Sequence, residues 1–438
     1  MKYLPIMVTA RSPLSIRSDH ASNGAEMTKY IPGTTLLGSL ATTYRMMYPD
    51  DSHMFERLFL SGEVSFPHLY LASYNANFYA PDKKLSLFGP DFPIYPTPKT
   101  ALTCKRYPGF RYPRSAKNKA HGVRDTLIAR AIFSEWPDEN KVGGKIPALT
   151  VLKPTSTCLF EHDDNVCGEP TDRYDKYYRR VEEQKLLASD SHEHLQTHTG
   201  INRNSGTIEE GILYNRQVFD EGTQFWGLLK ISDEALASRL TEFLDCIGNK
   251  GIARLGTGRT RGMGKVLLVA EESPERPPDF SNFQQRLDAF NTLLQAETDT
   301  YQLPHAKRKD HYYFALTLHS PAILNDELLR YRGTIDVETL EDLLSKQTTS
   351  KLEGLQSVYQ QAHMQRITGW QELWGAPRTN EYAIEVGSVF LFKCPQEQRT
   401  NIQTALYRLE EQGIGKRKLE GFGRICISDA FHQEVSWL

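Results

Sequence analysis

Two glycine-rich basic loops decide how this sequence is organised: Gly413-Ile-Gly-Lys-Arg-Lys-Leu-Glu-Gly-Phe-Gly423 and Gly256-Thr-Gly-Arg-Thr-Arg-Gly-Met-Gly264. Each loop follows an apolar strand and a helix, and each precedes a further strand. Glycine allows positive φ and a close approach of the backbone to a ligand. Clustered N–H groups and cationic side chains suit a phosphate-bearing partner. Because the loop occurs twice with the same neighbours, it indicates a duplicated domain.

The segments around the two loops also occur in pairs. In each half an alternating strand ends at Ser-Pro, where proline stops the strand. A second strand is rich in aromatic and aliphatic residues, which indicates burial, and a third follows the glycine loop. The paired segments are Pro5–Ile16 with Tyr313–Leu324, Gly222–Ile231 with Gly387–Cys394, and Lys265–Ala270 with Arg424–Ser428.

Helices are predicted between these strands. Ser232 is the expected N-cap of the first, and Pro395 and Gly413 are expected to begin and end the second. An earlier helix has Thr34 or Thr35 as its expected cap, and a strand is predicted over residues 63–72. The order is β-α-β, a long excursion, then β-α-β, which is the split arrangement of a ferredoxin-like fold. We predict an α+β protein with two tandem ferredoxin-like (RRM-like) domains.

The length of 438 residues also favours two domains. The predicted N-terminal domain covers residues 1–271 and contains a large insertion at about 73–215. Residues 272–308 are expected to form a linker and a helical segment over 283–294, because 272–283 is Pro-rich and acidic. The predicted C-terminal domain covers residues 309–438.

Charge is segregated along the chain. The net charge of −2 counts against a generic nucleic-acid coat protein, but residues 102–124 contain seven cations and 250–265 contain five without an acid. Such segregated basic loops can form a local groove for a polyanion. The alternative is that they are ordinary solvated loops.

The six cysteines are widely spread, which favours reduced thiols in a cytoplasmic protein. The spacing of Cys158 and Cys167 is not that of a zinc knuckle, so we predict no metal site. Cys104, Cys158 and Cys167 stay as weak candidates, with His121 or His162 as companions. The sequence has no Walker A motif, no dinucleotide fingerprint in a strand-turn-helix context and no apolar run of about 18 residues, so we expect neither a cofactor nor a membrane span.

The Ser-Pro strand, the helix entry at 31–38 and the glycine loop resemble the RAMP superfamily of CRISPR-associated proteins. The C-terminal loop fits that family's pattern G-h-G-x5-G-h-G, where h is hydrophobic. The earlier loop departs from it, with a three-residue spacer and Thr257 in place of a hydrophobic residue. Residues 198–207 and 211–214 are similar to the family's segment before its third strand.

The details are most similar to the tandem RAMP subunit of type III-D effector complexes. The two predicted units, residues 103–110 followed by 121–125, and a later cysteine pair suggest this subgroup. The resemblance implies a subunit that binds the 5′ repeat-derived handle of CRISPR RNA. It implies contacts with other RAMP subunits and with the large signalling subunit, and with target RNA only indirectly.

In that family other subunits cut target RNA, using an Asp in an early loop. The corresponding loop here contains Asp19, His20 and Glu26, so the sequence leaves chemistry open. A metal-independent endoribonuclease that matures guide RNA is the alternative function, with His20, His198 and Arg203 as acid–base candidates. A purely structural subunit is a third.

The glycine loops are the best candidates for contacting RNA, because a tight turn that only packs a helix on a sheet does not need so many cations. In the insertion, cations interleaved with aromatic residues can grip single-stranded RNA. The predicted RNA-binding residues are Arg254, Gly256, Gly258, Arg259, Arg261, Gly262, Gly264, Lys265, Gly415, Lys416, Arg417, Lys418, Gly421, Gly423, Lys105, Arg106, His198 and Arg203.

Overall fold

A computed structural model of the chain describes residues 2–17, 27–74, 94–111, 119–135, 157–162, 165–181, 185–188, 192–201, 204–270, 280–300, 310–348, 352–371 and 375–434. Helices and antiparallel sheets alternate along these residues, so the predicted α+β class is confirmed. No helix in the described ranges is both long and apolar enough to cross a bilayer. The loop with Asp19, His20 and Glu26 lies outside these residues, as does Arg203.

The strands are mostly short, and they form two main sheets of five and four strands together with several smaller sheets. They are β1 (Lys2–Ala10), β2 (Val64–Ser65), β3 (Tyr70–Tyr74), β4 (Ile94–Pro96), β5 (Ala101–Cys104), β6 (Val123–Asp125), β7 (Glu161–His162), β8 (Asn165–Val166), β9 (Thr171–Arg173), β10 (Tyr177–Val181), β11 (Lys185–Ala188), β12 (Glu193–Ile201), β13 (Ile208–Phe219), β14 (Thr223–Ile231), β15 (Val266–Ala270), β16 (His311–Leu318), β17 (Gln356–Gln361), β18 (Met364–Ile367), β19 (Trp370–Gln371), β20 (Ala376–Pro377), β21 (Glu381–Ile384), β22 (Val389–Pro395) and β23 (Ile425–Ile427).

The helices pack against those sheets. They are α1 (Gly33–Met47), α2 (Ser52–Phe59), α3 (Leu127–Ser134), α4 (Glu234–Lys250), α5 (Phe280–Thr300), α6 (Val337–Ser345), α7 (Arg399–Gln412) and α8 (Phe431–Glu434).

The two main sheets have the same strand order. The N-terminal sheet runs β15-β1-β14 and continues with β2 and β3, which both pair with β14. The C-terminal sheet runs β23-β16-β22-β17. In both, the strand that follows the glycine loop lies beside the Ser-Pro strand, and every pairing is antiparallel.

Several predicted boundaries are corrected by the structure. Asp233, rather than Ser232, caps α4, because its carboxylate accepts a hydrogen bond from the Leu236 N–H at 2.9 Å. Thr34 and Thr35 lie inside α1, which begins at Gly33 after Pro32 and has no side-chain cap from that position. The strand predicted over 63–72 is two strands, because the break falls around Pro67, which has no N–H for a ladder.

Other boundaries are extended. The helix predicted over 283–294 is the 21-residue α5, and the acidic stretch before it lies largely outside the described residues.

Each main sheet has its own apolar core. In the N-terminal half, Tyr44 of α1, Phe59 of α2 and Phe243 of α4 meet in edge-on pairs against the sheet. In the C-terminal half, Phe314 and Phe392 stack at 5.8 Å beneath α7. Burying these aromatic side chains together with the aliphatic residues around them stabilises each half.

The segment predicted as an insertion packs on both main sheets, with Ile94 against the N-terminal sheet and Leu127 against the C-terminal sheet. The Lys99 ammonium, in a side chain only 5% exposed, lies 2.7 Å from the Glu385 carboxylate, and the Lys99 N–H donates to the Gly387 carbonyl. Asp125, at the end of β6, pairs with His432 of α8 at 2.8 Å. Helix α3 packs on α5 and on the C-terminal sheet.

The Asp429 carboxylate organises a second buried junction. It accepts hydrogen bonds from His319 at 2.6 Å, from the Tyr178 hydroxyl at 3.1 Å and from the Phe431 N–H at 2.9 Å. Burial would raise the pKa of this carboxyl, but His319, the charge of His432 and the Phe431 N–H hold it well below the usual range. The junction ties β10 of the insertion to the end of the C-terminal sheet.

Candidate nucleic-acid interface

The two glycine loops fold in the same way, hydrogen bond for hydrogen bond. The Gly264 N–H donates to the Pro13 carbonyl and the Thr257 N–H to the Ser15 carbonyl, both at 3.0 Å. In the C-terminal loop, the corresponding bonds run from Gly423 to Pro321 at 2.8 Å and from Lys416 to Ile323 at 3.0 Å. Each loop also closes through a short 3₁₀ turn, over Arg259–Arg261 and Lys418–Glu420.

This pairing corrects the sequence alignment of the two loops. The Leu255 N–H bonds to the Gly264 carbonyl as the Ile414 N–H bonds to the Gly423 carbonyl, both at 2.8 Å. Gly256 therefore corresponds to Gly415, and five residues, not three, separate it from Gly262. Arg254 takes the place of the first glycine, and Leu255 is the hydrophobic residue.

The glycines are required by the backbone itself. Gly264 has φ +76° and Gly423 has φ +72°. A Cβ on Gly264 would overlap the Leu255 carbonyl oxygen, and one on Gly423 would overlap the Ile414 carbonyl oxygen. Gly262 has φ +80°, but a Cβ there would meet open space.

The corrected alignment places Arg261 where the C-terminal loop has Glu420. That glutamate forms ion pairs with Arg417 and with Arg378, the latter at 3.2 Å. The Arg417 guanidinium also lies 2.6 Å from Glu381. Its side chain is only 18% exposed and covers the Phe422 ring at 4.7 Å. The C-terminal loop therefore neutralises its central arginine internally.

The same loop also lies at the junction of the two halves. A Cβ on Gly421 would overlap the Phe66 carbonyl, and the Phe66 N–H donates to the Leu419 carbonyl at 2.8 Å. The buried His68 accepts a hydrogen bond at Nδ1 from the Gly33 N–H at the start of α1, at 2.9 Å. Burial lowers the pKa of His68 to about 3, so the ring is neutral and can accept this bond.

The N-terminal loop, in contrast, lies beside the long β12–β13 hairpin. His198 pairs with Tyr214 in the ladder, and their rings stack at 5.2 Å. The Arg261 guanidinium donates to the Tyr214 hydroxyl at 2.5 Å, and Arg216 donates to the Met263 sulfur at 3.3 Å. His198, Tyr214 and Arg216 share one face of the hairpin, because alternate residues of a strand point the same way and paired residues share a face.

Arg216 and Arg261 both contact this surface, and the charge of Arg17 acts on Arg216 from nearby. Arg216 is only 8% exposed, and its burial lowers its pKa; the nearby charges of Arg17 and Arg261 lower it further. Among the residues that the structure describes, no carboxylate forms an ion pair with any of the three. A low-dielectric setting with repelling cations favours an anion that bonds to all of them. We call Arg17, Arg216 and Arg261 the arginine cluster.

The remaining predicted site residues are distributed as follows. Arg254 donates to the Gly251 and Ala253 carbonyls just beyond α4, at 3.1 and 3.0 Å, so it satisfies carbonyls of the turn that follows that helix. Arg259 is exposed and folds back on the Gly256 carbonyl at 3.1 Å, while Lys265 is exposed. Lys416 is exposed on the C-terminal loop, where Lys418 donates to the Gly413 carbonyl at 2.8 Å.

The basic segment of the insertion is partly paired. Lys105 is exposed, and Arg106 forms an exposed ion pair with Glu169 at 2.8 Å. Arg111 covers the Phe160 ring at 4.7 Å.

Arg17 and Arg216 did not emerge from the sequence. Arg216 lies two residues beyond Tyr214 and on the same face of β13, a strand that was not predicted from the sequence. Arg17 approaches only because the Ser-Pro segment bonds to the glycine loop, which no local pattern indicates. Sequence reasoning also missed that His198 faces this loop.

The comparison with family models now identifies the class of protein. Residues 8–267 match the model of the RAMP superfamily, and this match covers more than half of the chain. The chain therefore belongs to the RAMP superfamily of CRISPR-associated proteins, as the sequence predicted. No curated protein matches the chain in sequence.

Solved structures of similar proteins include subunits of type III-B assemblies. A chain of the Cmr-β complex bound to cognate target RNA and AMPPnP is 12% identical, with 91% of this chain and 92% of that chain covered and a TM-score of 0.33. Oligomeric Cmr4 from Pyrococcus furiosus is 14% identical, with 62% and 99% covered and a TM-score of 0.28. TM-scores below 0.5 do not establish a common fold, so the family assignment rests on the sequence match.

Proposed function

We propose that this chain is an RNA-binding subunit of a type III CRISPR effector complex, of type III-D, and that it holds the 5′ repeat-derived handle of the CRISPR RNA. The observation that carries the proposal is the arginine cluster, which gathers three cations around a glycine loop with no described carboxylate paired to them. RNA phosphates are the anions that a member of this family meets. Phosphate contacts of this kind fix the position of a strand without reading its bases.

We further propose that the two main sheets belong to tandem ferredoxin-like domains, over residues 1–271 and 309–438, joined by a linker and helix at 272–308. The identical strand orders and the hydrogen bonds shared by the two loops support a duplication. The insertion, at about 73–215, packs on both sheets and would hold them in a fixed relation.

We propose that the N-terminal glycine loop contributes more to RNA binding than the C-terminal loop. In the N-terminal loop, Arg259 and Arg261 are exposed, and Tyr214 and His198 beside it offer aromatic faces for stacking. In the C-terminal loop, Lys416 is exposed, but Arg417 is already paired with Glu381 and Glu420. Lys105 and Arg106 of the insertion would extend the contact along the strand.

Contacts with other RAMP subunits and with the large signalling subunit are proposed for the opposite face of the β12–β13 hairpin. Leu195 and Leu213 are 62% and 66% exposed there. Their ladder partners, Gln217 and Thr199, are polar, so this face has no apolar cover of its own. Exposed apolar side chains grouped on one surface mark interaction sites. Target RNA would be met only through these neighbours.

The proposal is tested by fluorescence anisotropy with a labelled CRISPR RNA that carries the handle and with one whose handle is scrambled. We expect tighter binding of the first, and a fall in affinity with salt as counterions are released. Equal affinities would contradict handle recognition while leaving RNA binding intact. Salt-independent or absent binding would support a purely structural subunit.

The alternative, an endoribonuclease that matures guide RNA, is tested on the same samples by denaturing gels. His198 stacks on Tyr214, and its Nε2 has no hydrogen-bond partner among the described residues. No second acid–base group is paired with it there, which favours passive binding. Cleavage of repeat RNA that is lost in His198→Ala would favour the enzyme.

A further inference from the structure

Four metal-ligating side chains converge in the insertion, although they are far apart in the sequence. They are Cys104 at the end of β5, His121 just before β6, and Cys158 and Cys167 on either side of the β7–β8 hairpin. One ligand atom from each lies within 4.8 Å of every other. The Cys104 and Cys167 Sγ atoms are 4.0 Å apart, and Cys158 Sγ lies 3.5 Å from His121 Nδ1.

The two closest approaches fit a tetrahedral zinc site, and the 4.8 Å limit on the others is compatible with one. Zn–S bonds of about 2.3 Å and Zn–N bonds of about 2.0–2.1 Å place two sulfurs about 3.8 Å apart and a sulfur and a nitrogen about 3.6 Å apart. A disulfide would need sulfurs at about 2.05 Å, and all described cysteines are free. Three thiols and an imidazole form a ligand set that zinc prefers.

The surrounding chain holds the ligands in place before any metal is considered. The Cys167 N–H donates to the Phe160 carbonyl at 2.8 Å, and the Gly168 N–H donates to the Cys158 carbonyl at 3.0 Å. The His121 ring lies between the rings of Tyr107 and Phe160, at 4.4 and 4.2 Å. The ligand positions are therefore held by strand β5, by hydrogen bonds across the β7–β8 hairpin and by two aromatic contacts.

We propose that Cys104, His121, Cys158 and Cys167 bind one Zn²⁺ ion as a structural site. Four protein ligands leave no open position for water or substrate, which is the mark of a structural rather than a catalytic zinc. Three short strands meet here over a small apolar cluster around Phe110 and Tyr174, so a metal supplies cohesion that this region otherwise lacks.

The site also lies directly beside the basic segment that follows Cys104. Lys105 and Arg106 follow Cys104 directly, and Arg111 lies over Phe160 beside His121. Zinc would therefore fix the basic segment of the insertion in one conformation. The metal site itself does not depend on the proposed RNA function, since its evidence is the ligand geometry alone.

Elemental analysis of the full-length protein, purified without chelator, is the first measurement. We expect about one zinc per chain in the wild type, and loss of it in Cys158→Ser and in Cys167→Ser. Cys246→Ser is the matched control, because Cys246 lies on α4 outside the cluster. His121→Cys keeps four ligands and should retain zinc, whereas His121→Ala should bind it more weakly.

Two outcomes would overturn the proposal: wild-type protein without zinc that also fails to take up added Zn²⁺, or zinc that is equally lost in Cys246→Ser. If the cysteine variants do not fold, the wild type still decides the matter. Titrating its thiols with a mercurial reagent should release zinc in step with the loss of the cluster thiols, and substituted Co²⁺ should give the visible absorption of a tetrahedral thiolate site. Zinc release unconnected with thiol modification, or cobalt with an octahedral spectrum, would contradict the assignment.

Discussion

Neutralising two members of the arginine cluster should weaken RNA binding without harming the fold. In the double variant Arg216→Gln/Arg261→Gln, two proposed phosphate contacts are removed. Each such contact on a single strand contributes about 0.7 to the slope of log affinity against log salt. The slope should therefore fall by about 1.4. If the plots of log affinity against log salt for the wild type and the variant meet near 1 M salt, the variant should bind RNA about 25-fold more weakly at 0.1 M salt, a loss of about 1.9 kcal/mol.

Stability should respond differently. Burial and the charges of Arg17 and Arg261 lower the pKa of Arg216, so its cationic form is disfavoured in the free protein. Removing these charges relieves that cost, and we expect the free energy of unfolding in urea to stay within about 1 kcal/mol of the wild type or to rise. A lower affinity without lower stability separates a binding role from a structural one.

The assay is anisotropy with handle-containing RNA at four or more salt concentrations, with urea unfolding on the same samples. Arg330→Gln removes one positive charge from a side chain that is 74% exposed and paired with Asp326, and it is the control. An unchanged slope and affinity in the double variant would refute the reasoning. So would an equal loss in the control, because the effect would then be one of net charge.

Three other predictions follow from the two loops and the buried histidine. Arg417→Gln should cost about 2–3 kcal/mol of unfolding free energy, since it leaves the Glu381 carboxylate without its arginine and removes one of the two arginines that pair with Glu420. An unchanged urea midpoint would contradict this. Gly264→Ala should destabilise the protein by several kcal/mol, because its Cβ would overlap a backbone carbonyl. Gly262→Ala, whose Cβ would lie in open space, should cost about 1–2 kcal/mol. Equal losses of stability on thermal unfolding would contradict this difference. Burial would lower the pKa of His432, but Asp125 outweighs burial and raises it. The contribution of this pair to stability is therefore complete below about pH 6.5 and is lost as pH rises through the raised pKa. The wild type should lose its stability advantage over His432→Gln as pH rises, and a pH-independent difference would contradict the pairing.

The sequence predicted what local patterns control. Alternation, Ser-Pro endings and positive-φ glycines are local features, so the duplicated strands and both loops were found within a few residues. The strand predicted over 63–72 was wrong only where Pro67 interrupts it. The cap of α4 differed by one residue, because Ser232 and Asp233 are both good capping residues and only the structure shows which carries the bond.

The sequence could not predict what long-range contacts decide. In the sequence, Arg261 and Arg417 look alike as loop cations. In the structure, Arg417 forms an ion pair with Glu381, which is 36 residues away, and its charge is neutralised within the protein. The loop alignment was wrong by two residues because Arg254 stands where the pattern expects glycine. The cysteine spacing predicted no metal site, yet ligands from three separate segments come together in space.

Ultraviolet cross-linking of the chain to handle-containing CRISPR RNA, followed by mass spectrometry of the linked peptides, tests the central claim most directly. If the arginine cluster and the hairpin hold the strand, linked peptides should come from β12–β13 and from the loop over 254–265, with Tyr214 as the expected aromatic partner. Links confined to the loop over 413–423, or the absence of links to the hairpin and the N-terminal loop, would contradict the account.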